Sequence, residues 1–165
     1  NDTDRAPRSR LSVVPSPANG ASAGEATVLR GARVRETAVR VLVGTPEARG
    51  LVHYRTWFEL LTRQGFLPAG KDPLATFLTQ IGRSPVVERT SGAGMYQLDF
   101  SYPSKARRRL AELQAELQQA QALAADAGVE DISAARQRRA QLTTELAATE
   151  RALEEALRSL GDIEP

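Results

Sequence analysis

His53-Tyr54-Arg55, Lys71-Asp72-Pro73-Leu74-Ala75-Thr76-Phe77-Leu78, Ser84-Pro85-Val86-Val87 and Gly94-Met95-Tyr96-Gln97-Leu98 follow one another within Val52–Phe100 with almost no slack. Leu51-Val52-His53 reads as a short strand. Tyr54 to Gln64 reads as a helix with Trp57, Phe58 and Leu61 on its inner side and Gly65 as its stop. Asp72 can accept from free backbone N–H groups as an N-cap, and Pro73 suits the first helical position. Leu74, Phe77, Leu78 and Ile81 then form an apolar stripe, leaving Thr76, Thr79, Gln80 and Arg83 outward, until Gly82 and Pro85 end the helix. Val86–Thr90 and Met95–Asp99 alternate as two strands around Ser91-Gly92-Ala93-Gly94, where glycine fits a hairpin.

Working outward, Glu25 to Val43 carries a helical pattern, with Val34, Ala38, Val41 and Leu42 on one face, and Gly44-Thr45-Pro46 stops it. A strand, two short helices and a closing hairpin in this order are the pattern of a winged helix-turn-helix. All eight aromatic residues, from Tyr54 to Tyr102, fall within this stretch. Aromatic side chains supply large buried area, so the main core belongs here. Residues 1–24, with Pro7, Pro15, Pro17, Gly20 and Gly24 and no hydrophobic period, read as a flexible tail. Its Arg5, Arg8 and Arg10 are better explained as solvated linker residues than as nucleic-acid contacts.

Tyr102-Pro103 breaks the domain off on this reading, and two Ala/Glu/Gln/Arg/Leu-rich helices follow. Leu110, Leu113, Leu117, Ala120 and Ala124 step by three and four in the first. Leu142, Leu146, Thr149, Leu153, Ala156 and Leu160 do so in the second. Gly128 and Asp131-Ile132-Ser133 mark a stop and a fresh cap between them, so the pair folds back antiparallel. With Ala in much of each seam, two helices bury little. The hairpin is therefore expected to pair with a second copy or dock on a protein partner through Leu110, Leu113, Leu117, Leu142, Leu146, Leu153 and Leu160. Leu123 and Leu157 widen that apolar face. The expected fold class is α+β, mostly α: a tail (1–24), a winged helix-turn-helix (25–103), a coiled-coil hairpin (104–161) and a disordered end (162–165).

Composition narrows the chemistry. There is no cysteine, which excludes disulfides, thiol catalysis and Cys-based metal sites. The one histidine, His53, stands at a strand-to-helix junction, where a cap or packed side chain is a better account than a catalytic base. Metal binding needs more N or S donors than these, and Gly92-Ala93-Gly94 lacks the Gly-Lys-Ser/Thr ending of a phosphate loop. No catalytic site, cofactor, metal or small-molecule substrate is expected, nor a membrane span. A cytoplasmic, nucleoid-associated location follows from that reading. The net charge is only +2, and Lys71 and Lys105 are the only lysines. Such Arg-rich, Lys-poor usage suggests a GC-rich coding sequence, so part of the Arg excess reflects codon bias.

What remains is polar surface on a helix-turn-helix. Gln can pair with adenine and Arg with guanine in the major groove, and Thr76 can meet a thymine methyl or a phosphate. Lys71 and the hairpin residue Arg89 are placed for phosphate. Lys71, Thr76, Thr79, Gln80, Arg83 and Arg89 are thus the expected duplex-DNA contacts. A protein-interaction scaffold, recruited to a transcription or restriction machine without touching DNA, is the competing expectation, motivated by the modest charge.

His53-Tyr54-Arg55 opening a helix, Gly70-Lys71-Asp72-Pro73 with Thr76 and Leu78, and the closing Tyr96-Gln97-Leu98 hairpin resemble the HARE-HTH winged-helix family over residues 34–99. That family occurs in restriction systems, in chromatin regulators and in the delta subunit of bacterial RNA polymerase. The resemblance implies a module bridging DNA and larger assemblies, sometimes in connection with modified bases, without catalytic residues. It implies that His53 and Tyr54 are helix-start positions and that Lys71 to Arg83 is the recognition segment. The polymerase subunit's acidic tail has no counterpart here; a helical arm stands in its place.

Overall fold

A computed structural model describes residues 24–126 and 132–161. The expected tail (to residue 23), the cap at Asp131 and the chain end (162–165) lie outside the described residues. The architecture is α+β and mostly helical. Strand β1 (Thr27–Leu29) leads into α1 (Ala32–Val43). A 3-10 turn (Pro46–Ala48), β2 (Val52–His53), α2 (Tyr54–Arg63), β3 (Phe66–Pro68) and α3 (Pro73–Ile81) follow. Strands β4 (Val87–Arg89) and β5 (Met95–Leu98) close this part, and α4 (Tyr102–Asp126) and α5 (Ile132–Leu160) form the hairpin.

Three helices surround an aromatic centre. Trp57 and Phe77 meet edge to face with ring centroids 5.5 Å apart, and Phe58 meets Phe77 at the same distance. Trp57 is fully buried, and its indole Nε1 donates to the Ala38 carbonyl at 2.9 Å, tying α2 to α1. A buried indole N–H needs such a partner. The expected inner faces hold: Val34, Ala38, Val41 and Leu42 of α1, Leu61 of α2, and Phe77 and Ile81 of α3 are buried, and Val39 joins them.

Two small sheets flank the helices. β2, β5 and β4 form an antiparallel sheet in the order β2-β5-β4, with Val52 opposite Tyr96 and Glu88 opposite Gln97. The β4–β5 turn is locked onto the start of α2. Tyr54 N–H donates to the Gly94 carbonyl at 3.0 Å. Gly94 has φ +71°, and a Cβ there would lie 2.8 Å from Tyr54 Cδ1 and 2.9 Å from His53 Nε2. Only glycine satisfies both the backbone conformation and the close approach.

Two features differ from the sequence expectation. β1 and β3 pair in parallel, Thr27 beside Phe66 and Leu29 beside Pro68, where the helical pattern read from Glu25 had no strand. Each strand is three residues long, too short to show an alternation of its own. Second, the chain does not break at Tyr102-Pro103. α4 starts at Tyr102, and Pro103 lies in its first turn, where a missing N–H costs no helical bond.

The hairpin also fails to separate from the core. The last turns of α5 come back onto α1, and Ala156 and Leu160 are buried in the same apolar cluster as Val34, Leu42 and Trp57. Polar ties reinforce the return. Arg158 lies 3.6 Å from Glu36, and Arg40 Nε donates to the Arg158 carbonyl at 3.2 Å. Arg35 clamps Glu155 through two N–H groups, the Nη2–Oε2 distance being 2.8 Å. The boundary expected at 103–104 therefore does not divide two independent cores.

Candidate nucleic-acid interface

α3 is a short helix with both ends fixed by local chemistry. Asp72 Oδ1 accepts from Ala75 N–H at 3.0 Å, and Pro73 occupies the first turn. At nine residues α3 is about 13 Å long, short enough to enter a major groove end-on or lie along it.

The six expected contact residues divide into two groups. Lys71, Thr79, Arg83 and Arg89 are exposed. Lys71 stands before α3, Arg83 just beyond it, and Arg89 is carried by β4. None of the three cations has an ion pair among the described residues. Thr79 Oγ1 donates to the Ala75 carbonyl at 2.9 Å, one turn back along the helix.

Thr76 and Gln80 are half-buried instead of outward. A Cβ built at Gly70, whose φ is +126°, would lie 3.1 Å from Thr76 Oγ1, so this hydroxyl is tucked under the loop that carries Lys71. Gln80 Oε1 accepts from Arg35 Nη1 at 3.0 Å. One guanidinium thus joins α1, α3 and α5. The Glu155 hydrogen bond raises the Arg35 pKa most; burial opposes it, while the charges of Glu155 and Glu36 add to it. Sequence reading missed this clamp, because Arg35 and Glu155 are 120 residues apart and nothing in either local pattern marks a partner.

On the hairpin β4–β5, Glu88 accepts from Gln97 Nε2 at 2.9 Å across the strand pair, beside Arg89 but not paired to it. At the root of α4, Asp99 accepts from Ser101 N–H and from Lys105 Nζ at 2.8 Å. Burial works to raise the Asp99 carboxyl, but these hydrogen bonds and the Lys105 charge outweigh it and hold it below the usual carboxylate range.

His53 takes the role of a cap: its Nδ1 accepts from Arg55 N–H at 3.3 Å, and its ring sits 4.5 Å from that of Tyr54. Arg55 in turn lies over the Tyr54 ring and donates to its hydroxyl at 3.1 Å. The His53-Tyr54-Arg55 triplet therefore has a structural explanation in the joint between α2 and the hairpin turn.

The leucines expected at an oligomer seam are largely used within one chain. Leu113 and Leu142 are buried in the α4–α5 hairpin and Leu160 is buried in the core, which corrects their expected availability to a second copy. Leu110, Leu117, Leu146 and Leu153 are half-buried along the same hairpin. Arg109 bridges to Glu145 at 2.7 Å and Arg138 to Glu116 at 2.7 Å, so ion pairs also cross between the helices. Leu123 and Leu157 remain exposed, 65% and 40% respectively.

Among the described residues, no group of three or more His, Asp or Glu side chains is placed to hold a metal ion. None of the described helices is long and apolar enough to cross a membrane. Protein-family models, curated proteins and solved structures gave no match to this chain.

Proposed function

We propose that residues 25–103 act as a winged helix-turn-helix of the HARE-HTH type that grips duplex DNA, with α3 as the recognition helix and β4–β5 as the wing. The observation that carries this reading is a short capped helix bracketed by Lys71 and Arg83, with Arg89 on the adjoining hairpin. All three cations are exposed and have no ion pair among the described residues. Arg83 is the strongest candidate for a base contact; Lys71 and Arg89 are phosphate contacts on this reading. Thr79 offers a methyl to the groove. A nucleoid-associated regulator is the corresponding cellular role.

The test is fluorescence anisotropy of a labelled random duplex at roughly 50 and 200 mM salt, the range in which released counterions dominate affinity. Binding that weakens steeply with salt is the expected result. No binding at the lower salt would end this reading.

The exposed Leu123 at the far end of α4 favours a second reading, a protein-interaction module recruited to a transcription or restriction machine by its arm. Deleting the arm would remove Ala156 and Leu160 from the core, so Leu123→Glu is the cleaner probe. A partner retained after nuclease treatment and released by Leu123→Glu would support that module over direct DNA contact.

A further inference from the structure

The Arg35 clamp has a consequence for what α3 can read. A free glutamine recognises adenine by setting its amide oxygen and nitrogen side by side, accepting from N6–H and donating to N7. Gln80 is not free. The atom that meets Arg35 Nη1 at 3.0 Å must be the amide oxygen, because a guanidinium only donates. Arg35 is itself held by two N–H bonds to Glu155 from α5, and the side chains of Arg35 and Glu155 are only 18% and 13% exposed. The oxygen is therefore directed into the α1–α3–α5 junction. Turning it outward toward a base would break a charge-assisted hydrogen bond at a guanidinium that has little access to water. What Gln80 retains for a ligand is its Nε2 group, which donates no hydrogen bond among the described residues.

We infer that Gln80 acts on DNA as a hydrogen-bond donor only, the two hydrogens of its Nε2 favouring guanine, whose O6 and N7 both accept, over adenine, whose N7 stands beside the N6 amino donor, and that Arg35 and Glu155 are the positioning residues that impose this. The inference rests on the proposed DNA-binding reading of α3. It also gives the hairpin a part in recognition, since Glu155 reaches the reading helix through one side chain.

Selection from a randomised duplex pool, using the full chain, tests it. The wild type is expected to enrich guanine at one position. Gln80→Leu should randomise that position, with about a tenfold loss of affinity for the selected site, the equivalent of one good base contact. In the double variant Arg35→Met with Glu155→Met, which removes both charges together, the freed amide should shift the preference toward adenine. Gln80→Glu keeps a partner for Arg35 but turns the group into an acceptor, and should abolish the guanine preference even if the double variant does not fold. Adenine at the Gln80-dependent position of the wild type would overturn the inference. So would a base preference indifferent to Gln80→Leu, or a sequence-independent loss that marks a phosphate contact. In each of those cases duplex binding itself persists, so the DNA-binding reading would stand. Absence of duplex binding by the wild type would remove both.

Discussion

The three-helix part and the α4–α5 hairpin are built on different physics, although they share one apolar cluster. Around α1–α3 the interior is aromatic and aliphatic, with Trp57, Phe77, Leu42, Leu61 and Ile81 fully buried. Along the hairpin, complete burial of a large side chain is confined to Leu113 and Leu142 among the described residues, and ion pairs on its flanks supplement them. Exposed ion pairs contribute little, about 0–1 kcal/mol each, so the hairpin depends on its root. There Ala156, Ser159 and Leu160 are buried and Glu155 grips Arg35. The hairpin is in effect an extension of the core at one end and a thinly packed pair of helices at the other.

The largest effect should come from the aromatic centre. Trp57→Ala removes the ring that packs on Phe77 and the bond to Ala38, and is expected to cost about 3–5 kcal/mol, measured by urea denaturation. A loss under about 1 kcal/mol would mean that the two regions do not differ in this way. Next is the root. Glu155→Ala leaves Arg35 in a half-buried site without its carboxylate, for a loss of roughly 2–3 kcal/mol, below the range of a fully buried broken pair because both side chains keep some water. Amide hydrogen exchange should then rise in both α5 and α1. Exchange confined to α5 would show that the root is not shared.

Leu142→Ala sharpens the contrast further. It should cost about 2 kcal/mol within the hairpin while exchange in α2 and α3 stays near wild type. The smallest effect concerns the joint between β5 and α4. A carboxyl held below its unfolded value stabilises the fold above the usual carboxylate range, and that contribution fades as pH falls through the folded value. Thermal melts between neutral pH and about pH 3, spanning ordinary carboxylate titration, should therefore show a smaller acid-induced drop for Asp99→Asn than for the wild type. Equal drops would remove Asp99 from the acid response.

The same contrast explains what the sequence made legible. Apolar spacing placed α2, α3 and the body of α1, though not its start, because Val34, Ala38, Trp57, Leu61, Phe77 and Ile81 answer to one local period and one core. The caps at His53 and Asp72 are local too, two and three residues from their donors. What escaped reading is long-range. β1 meets β3 across nearly forty residues of chain, and Arg35 meets Glu155 across 120. Neither pairing leaves a periodic trace. The seam leucines were recognisable as apolar stripes, but period alone does not say whether a stripe is covered by the same chain or by another. For the same reason the outward helical face at Thr76 and Gln80 was overdrawn. The guanidinium that holds Gln80 comes from α1, and Thr76 is covered by the turn at Gly70, whose positive φ folds the chain back over the helix start.

The most direct measurement compares equal charge removal from the two regions. Arg83→Ala with Arg89→Ala strips two exposed cations, one just beyond α3 and one on β4. Arg136→Ala with Arg151→Ala strips two exposed cations from α5. Duplex affinity is then followed against salt by anisotropy. The expected result is that the first pair weakens binding and lowers the salt slope by about one, roughly 0.9 for the phosphate that Arg89 no longer neutralises, while the second pair leaves both near wild type. An unchanged slope for the α3–wing pair, or an equal loss from the arm pair, would contradict the assignment of DNA binding to α3 and the wing.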